Sequence, residues 1–138
     1  MKIVLDTNVV VSALVWGGLP YKLIETTAAG DVELCTSPAL LTELRDVIGR
    51  EHLASRLATQ RASVEAAVAL YAELAIPVSP LTTPRVVPGD ADDDHVVAAA
   101  VASGADLLVP GDRPLLAVGA HQRVRILGVS EALRVLTT

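Results

Sequence analysis

Apolar residues in this chain fall into two kinds of segment, and the two kinds alternate. Residues 2–6, Lys2-Ile3-Val4-Leu5-Asp6, form a short run without helical period, which predicts a buried strand. Residues 9–15 fit a helix that stops at Gly17-Gly18. Pro20 suits the first turn of the next helix, which ends at Gly30. Residues 32–36 predict a second strand. Ser37-Pro38 then caps and opens a third helix that stops at Gly49. A further helix is predicted over residues 57–74, with apolar positions at Val64, Ala67, Val68, Tyr71 and Leu74. Residues 76–78 are a candidate short strand. The proline-containing stretch 77–88 reads as a connection with an extended piece at Val86-Val87. A helix of Val and Ala opens at Asp92-Asp93-Asp94 and stops at Gly104. Residues 107–109 predict a strand, 113–116 a turn of helix, 124–127 a last strand and 130–136 a terminal helix.

Strands alternating with helices predict an α/β fold. The expected form is a three-layer α/β/α sandwich around a central, mostly parallel sheet of four to five strands. Its crossovers are expected to be right-handed. There is no repeat, low-complexity tract or domain boundary, so residues 1–138 read as one domain.

Composition narrows this picture. A hydrophobic content of 51% argues against disorder. Aromatics are only 2%, with no Phe, so Ala, Val and Leu must fill the interior. The single cysteine, Cys35, excludes an intramolecular disulfide and fits a reducing compartment. The first residues do not make a signal peptide, and no run approaches a membrane span. A cytoplasmic protein with no membrane partner is expected. The net charge of −5 argues against a broad basic surface. Arg45, Arg50, Arg56 and Arg61, with His52, nevertheless form a local basic stretch. It is either a solvated helix face or a contact to a substrate backbone.

The acids carry the chemistry. Asp6 ends the first apolar run and Asp112 follows another, Leu107-Leu108-Val109. If these are neighbouring parallel strands, their carboxyl ends share the sheet edge where open α/β folds place ligands. Each acid also has a purely structural reading. Asp6-Thr7-Asn8 suits helix capping, with Thr7 or Asn8 at the cap and Asp6 at the end of the strand. One of Asp92-Asp93-Asp94 suffices to cap a helix, and three in a row, with Asp90 nearby, repel one another. Asp112, in Pro110-Gly111-Asp112-Arg113-Pro114, suits a turn. Glu43 falls beside the stripe Leu40, Leu44, Val47, Ile48, so it pairs with a base or points into a shared polar pocket. Acids converging on one edge call for a hard divalent cation, Mg²⁺ or Mn²⁺. No Cys/His cluster has zinc spacing, and there is no phosphate-binding glycine loop and no serine nucleophile elbow.

Three blocks, IVLDTNVVVSALVWGG, SPALLTELRDVI and DADDDHVVAAAVASGADLLVPGDRPLL, resemble the PIN-domain family of metal-dependent ribonucleases. The likeness is closer to bacterial PIN proteins related to VapC-type toxins. It implies that Asp6, Glu43, Asp94 and Asp112 are the catalytic acids. Asp6, Asp94 and Asp112 would be the metal ligands, with Asp93 competing for the place of Asp94. Asn8 and Thr7 would support the site, and Arg45 and Arg113 are candidate substrate contacts. The family pattern often has Ser or Thr where this chain has Pro110, so one hydroxyl contact is missing. Pro114 likewise replaces a common acid.

The resemblance therefore implies hydrolysis of RNA with Mg²⁺ or Mn²⁺, by the toxin of a type II toxin-antitoxin pair. Its partners would be an RNA substrate, an antitoxin protein and a second copy in a homodimer. The rival is a non-catalytic PIN-like module that binds RNA or protein. A receiver or a dehalogenase-type phosphatase fits poorly, since the latter needs an acid where Asn8 stands.

Overall fold

The central strands of this protein are short and mostly buried on both faces, the mark of a parallel sheet covered by helices. A computed structural model describes residues 1–30, 32–80 and 91–137, and the backbone alone of residues 91–93. Among these residues the strands are β1 (Lys2–Leu5), β2 (Glu33–Thr36), β3 (Ile76–Pro77), β4 (Leu107–Val109), β5 (Ala120–His121) and β6 (Val124–Ile126). The helices are α1 (Thr7–Val15), α2 (Gly18–Ala29), α3 (Pro38–Ile48), α4 (Glu51–Thr59), α5 (Val64–Leu74), α6 (Ala91–Ser103), α7 (Arg113–Val118) and α8 (Val129–Thr137). The sheet order is β3-β2-β1-β4-β6-β5. Every neighbouring pair is parallel except β5 with β6.

Side chains alternate across the strands with period two, and this builds two cores. Ile3, Leu5, Leu34, Leu107 and Val109 face one layer, where they meet Val10 and Val15 of α1, Leu23 of α2, Leu44 and Ile48 of α3, and Leu57 of α4. Val4, Cys35, Leu108 and Ile126 face the other, against Val96, Val97, Ala99 and Ala100 of α6 and Leu115 of α7. These two layers and the sheet between them are the expected three-layer sandwich. Each fully buried Val, Leu or Ile contributes about 1.5–3 kcal/mol. The small residues of α6 let it lie close over β1, β2 and β4 without aromatic filler.

The order of the strands decides where a ligand can go. From β1 the chain moves outward to β2 and β3, then returns through α6 to β4 on the other side of β1. The gap at the carboxyl ends of β1 and β4 is therefore a topological switch point, the usual crevice of an open α/β sheet. α6 feeds β4 through a tight turn at Gly104 (φ 67°). The amino end of α6 accordingly points back to that same edge.

The structure departs from the sequence expectation in two places. The candidate strand at 76–78 is β3, and the sheet reaches six strands because two-residue β5 is added at its other edge. The helix expected over 57–74 is two helices, α4 and α5. Arg61 breaks it in the left-handed region (φ 58°). Ala62 N–H donates to the Leu57 carbonyl at 2.9 Å and Arg61 N–H to that of Ala58 at 3.0 Å, a Schellman closure. Ser63 then caps α5, its hydroxyl accepting from Ala66 N–H at 3.1 Å. Leu57, Val68 and Tyr71 face the same core across the break, so the apolar period does not reveal it. The extended piece expected at Val86-Val87 lies outside the described residues. Among those described, no helix is long and apolar enough to cross a membrane.

The Schellman closure yields a first prediction. A non-glycine residue in the left-handed region costs about 1–2 kcal/mol in a helical context. Arg61→Gly is expected to stabilise the protein by about 0.5–1 kcal/mol, once the added chain entropy of glycine is counted. A higher urea midpoint at unchanged slope is the expected reading. A lower midpoint would show that the Arg61 side chain matters more than its backbone.

Candidate active site

The first acid is built by the end of β1. Asp6 N–H donates to the Val109 carbonyl at 3.0 Å, which carries the β1–β4 ladder one residue past the strand. Asp6 is itself the cap residue of α1, with φ −66° and ψ 152°. This corrects the reading that placed Thr7 or Asn8 at the cap. Its Oδ1 accepts from Thr7 N–H at 2.8 Å and its Oδ2 from Gly111 N–H at 2.8 Å. The carboxylate is only 4% exposed. It thus ties the start of α1 to the turn after β4.

That turn fits closely. A Cβ on Gly111 would stand 2.6 Å from Cβ of Asn8 and 3.2 Å from Oδ2 of Asp6, so only glycine lets the two loops approach. The next residue, Asp112, is half-buried and caps α7, its Oδ1 accepting from Leu115 N–H at 3.3 Å. In place of the expected turn role, Asp112 is a helix cap, one residue beyond the Gly111 N–H that donates to Asp6. Pro114 occupies the first turn of α7, where a missing N–H costs nothing. Arg113 is exposed at the first position of that helix.

Glu43 arrives from the next strand over. Ser37 caps α3 by accepting from Leu40 N–H at 3.2 Å, and Pro38 opens the helix. Leu40, Leu44 and Ile48 bury one stripe, which leaves Glu43 half-buried at its border. There it lines a cleft of about 670 Å³ together with Asn8, Thr42, Asp46, Val47, Arg50 and His95. Glu43, Asp46 and Val47 follow the i, i+3, i+4 spacing of one face of α3, and Arg50 joins them from the turn that caps α4. The helical spacing was a signal for Asp46 as a cleft residue, but not for Arg50. Arg45, two positions from Glu43, is exposed and outside the lining, whereas Arg50 is inside it.

The third acid position lies at the amino end of α6. Asp94 is buried, 4% exposed, and its neighbour His95 lines the cleft. The side chains of Asp92 and Asp93, and all of Asp90, lie outside the described residues, so Asp93 has no described position. Asp6, Asp94 and Asp112 are next to cleft-lining residues or loops without lining the cleft themselves. Among the described residues, no three His, Cys, Asp or Glu side chains form a group close enough to hold a metal ion. The buried Thr7 hydroxyl, directly after Asp6, has no hydrogen-bond partner. A buried hydroxyl of this kind beside a carboxylate suits water or a cation, and the acids offer only hard oxygen donors. Burial pushes the Cys35 thiol above its ordinary range, so it stays protonated and inert.

The model of the PIN domain family matches residues 2–114. The chain belongs to the PIN domain family. The match spans β1 through the start of α7, and so takes in Asp6, Glu43, Asp94 and Asp112. PIN domains have a nuclease-type fold and are generally hydrolases. Comparison with curated proteins gives no match.

The contact at Gly111 supplies the prediction for this site. Gly111→Ala is expected to destabilise the fold by about 1–3 kcal/mol, the usual cost of forcing atoms into a filled space. Urea unfolding measures it. Full stability in the alanine variant would mean that the turn after β4 is free to move off Asp6.

Proposed function

We propose that this PIN domain is a ribonuclease that hydrolyses RNA phosphodiester bonds with Mg²⁺ or Mn²⁺. The observation that carries the reading is the flanking of one switch point by Asp6 and Asp112. Buried Asp94 and cleft-lining Glu43 add acids from two further elements. Asp6, Asp94 and Asp112 would hold the ion, with Asp93 as the alternative to Asp94, and Glu43 would complete the set from the cleft. When bound, such an ion polarises a phosphoryl oxygen and makes water a better nucleophile at neutral pH.

The chain's own groups do the rest. Arg50 brings a fixed positive charge into the cleft and can pair with a phosphate. Asn8 offers an amide to the same space. His95 lines the cleft from the α6 side and offers an imidazole that can carry a proton. Thr7 and Gly111 hold the Asp6 carboxylate in one orientation through their N–H groups.

The toxin role, an antitoxin partner and a homodimer belong to the same proposal and rest on the likeness to VapC-type proteins. A second reading, a non-catalytic module that binds RNA or protein, is favoured by buried Pro110, which supplies no hydroxyl beside the acids.

RNA cleavage decides between the two. The wild type is expected to cut RNA only with added Mg²⁺ or Mn²⁺. Asp6→Asn and Asp94→Asn should each lose at least about 10–100-fold, a range seen even for outer partners of metal sites. The amide in Asp6→Asn also sets an NH₂ against a backbone N–H, so its folding must be checked by thermal melting. A folded Asp94→Asn variant with full activity would remove that acid from the reaction. Mn²⁺ should also raise the melting midpoint of the wild type, since saturation at a hundredfold over Kd adds about 2.7 kcal/mol. No shift at millimolar Mn²⁺, with no cleavage, would favour the binding module.

A further inference from the structure

We propose that Trp16 and Arg56 form a stacking platform for a base of single-stranded RNA, set at the far end of two helices that both begin at the cleft. The ribonuclease reading enters only in saying where that strand would be cut.

Trp16 is the chain's one tryptophan. It caps the carboxyl end of α1 and is 61% exposed. The guanidinium of Arg56, in the last turn of α4, lies 4.9 Å from the centroid of its ring. A cation on an exposed indole offers a base an aromatic face and offers the adjoining phosphate a charge.

The position of the pair links it to the cleft. α1 starts at Thr7, beside cleft-lining Asn8, and α4 starts directly after cleft-lining Arg50. At their other ends the two helices meet again, where the Gln60 side-chain amide donates to the Val15 carbonyl at 3.1 Å. Each helix has nine residues. At 1.5 Å per residue, the platform stands about 13 Å from the cleft. That is about four nucleotides at a 3.4 Å stacked rise, and fewer in an extended strand. Arg50 marks the near end of this path and Arg56 the far end.

A protein partner is the competing occupant, since Leu19 and Tyr21 are also exposed. The guanidinium on the ring argues against it. An apolar interface would have to bury that charge without a counter-ion, whereas a polyanion supplies one.

Because Trp16 is the sole tryptophan, its fluorescence reports on the platform directly. Wild-type protein in EDTA is titrated with a single strand of about eight ribonucleotides, within the ~4–16 range of single-strand sites. Quenching is expected, and not with a duplex of the same sequence. Trp16→Ala should weaken binding about 5–100-fold, and Trp16→Phe should recover most of the loss. With metal, Trp16→Ala should raise KM on the long strand at unchanged kcat, and leave a dinucleotide substrate unaffected.

Cleavage with no quenching, or with equal KM in Trp16→Ala, overturns the platform and leaves the ribonuclease reading intact. Quenching and weakened binding in a chain that never cuts RNA sustain the platform and sink hydrolysis. Equal quenching by duplex overturns the proposal. So does self-association that Trp16→Ala abolishes while RNA leaves the fluorescence unchanged.

Discussion

The Asp6 carboxylate is the fixed point of this molecule. It is buried at the end of a central strand, where a lone charge would be costly. What makes it tolerable is a pair of charge-assisted hydrogen bonds from backbone N–H groups on two different loops. Those bonds also position the loops. The Thr7 bond starts α1, and the Gly111 bond draws the turn after β4 across the top of β1. One side chain therefore satisfies its own charge, caps a helix and aligns the two loops that border the crevice.

The rest of the site follows from this constraint and from the strand order. β4 can lie beside β1 only because the chain leaves in one direction and returns over the opposite face of the sheet. The return helix, α6, must then start at the carboxyl edge, which brings Asp94 and His95 there. β2 lies on the other flank of β1, so α3 starts at the same edge and presents Glu43 to the cleft, with Arg50 added by the turn into α4. Residues far apart in the chain share a neighbourhood because parallel strands align their ends. Under the proposed function, a metal ion would draw on the oxygen donors brought to this edge.

Much of this is legible in the amino-acid sequence. Strand runs such as Ile3-Val4-Leu5 and Leu107-Leu108-Val109 are readable because both faces are buried and every residue is apolar. Ser37-Pro38 marks its helix start because both residues act locally. The cap of α1 was misread, since Asp6 serves strand end and helix start at once and sequence assigns it to only one. The break between α4 and α5 was hidden because an arginine, not a glycine, takes the left-handed position, and the apolar period resumes in phase. The edge strand β3 was legible as a short run at 76–78, whereas two-residue β5 has too few side chains to show a period. Arg50 stood out only as one charge in a basic stretch. Its place in the cleft depends on the turn between α3 and α4, which no local pattern encodes.

The proposed RNA substrate poses an electrostatic problem for an acidic chain. The cleft carries Glu43 and Asp46 beside Arg50, so attraction at long range is weak and is further screened by salt. Affinity must then come from contacts that ignore net charge. Stacking is such a contact, because every base has a π-face and the interaction acts at van der Waals distance. An exposed indole at the end of the helices that frame the cleft is well placed to supply it. Arg56 can serve this end without reversing the acidity of the whole, since its charge is confined to the ring it covers. On the two proposals taken together, the acids are free to serve a cation at the crevice, and recognition is shifted along α1 and α4 to a surface that does not compete with them.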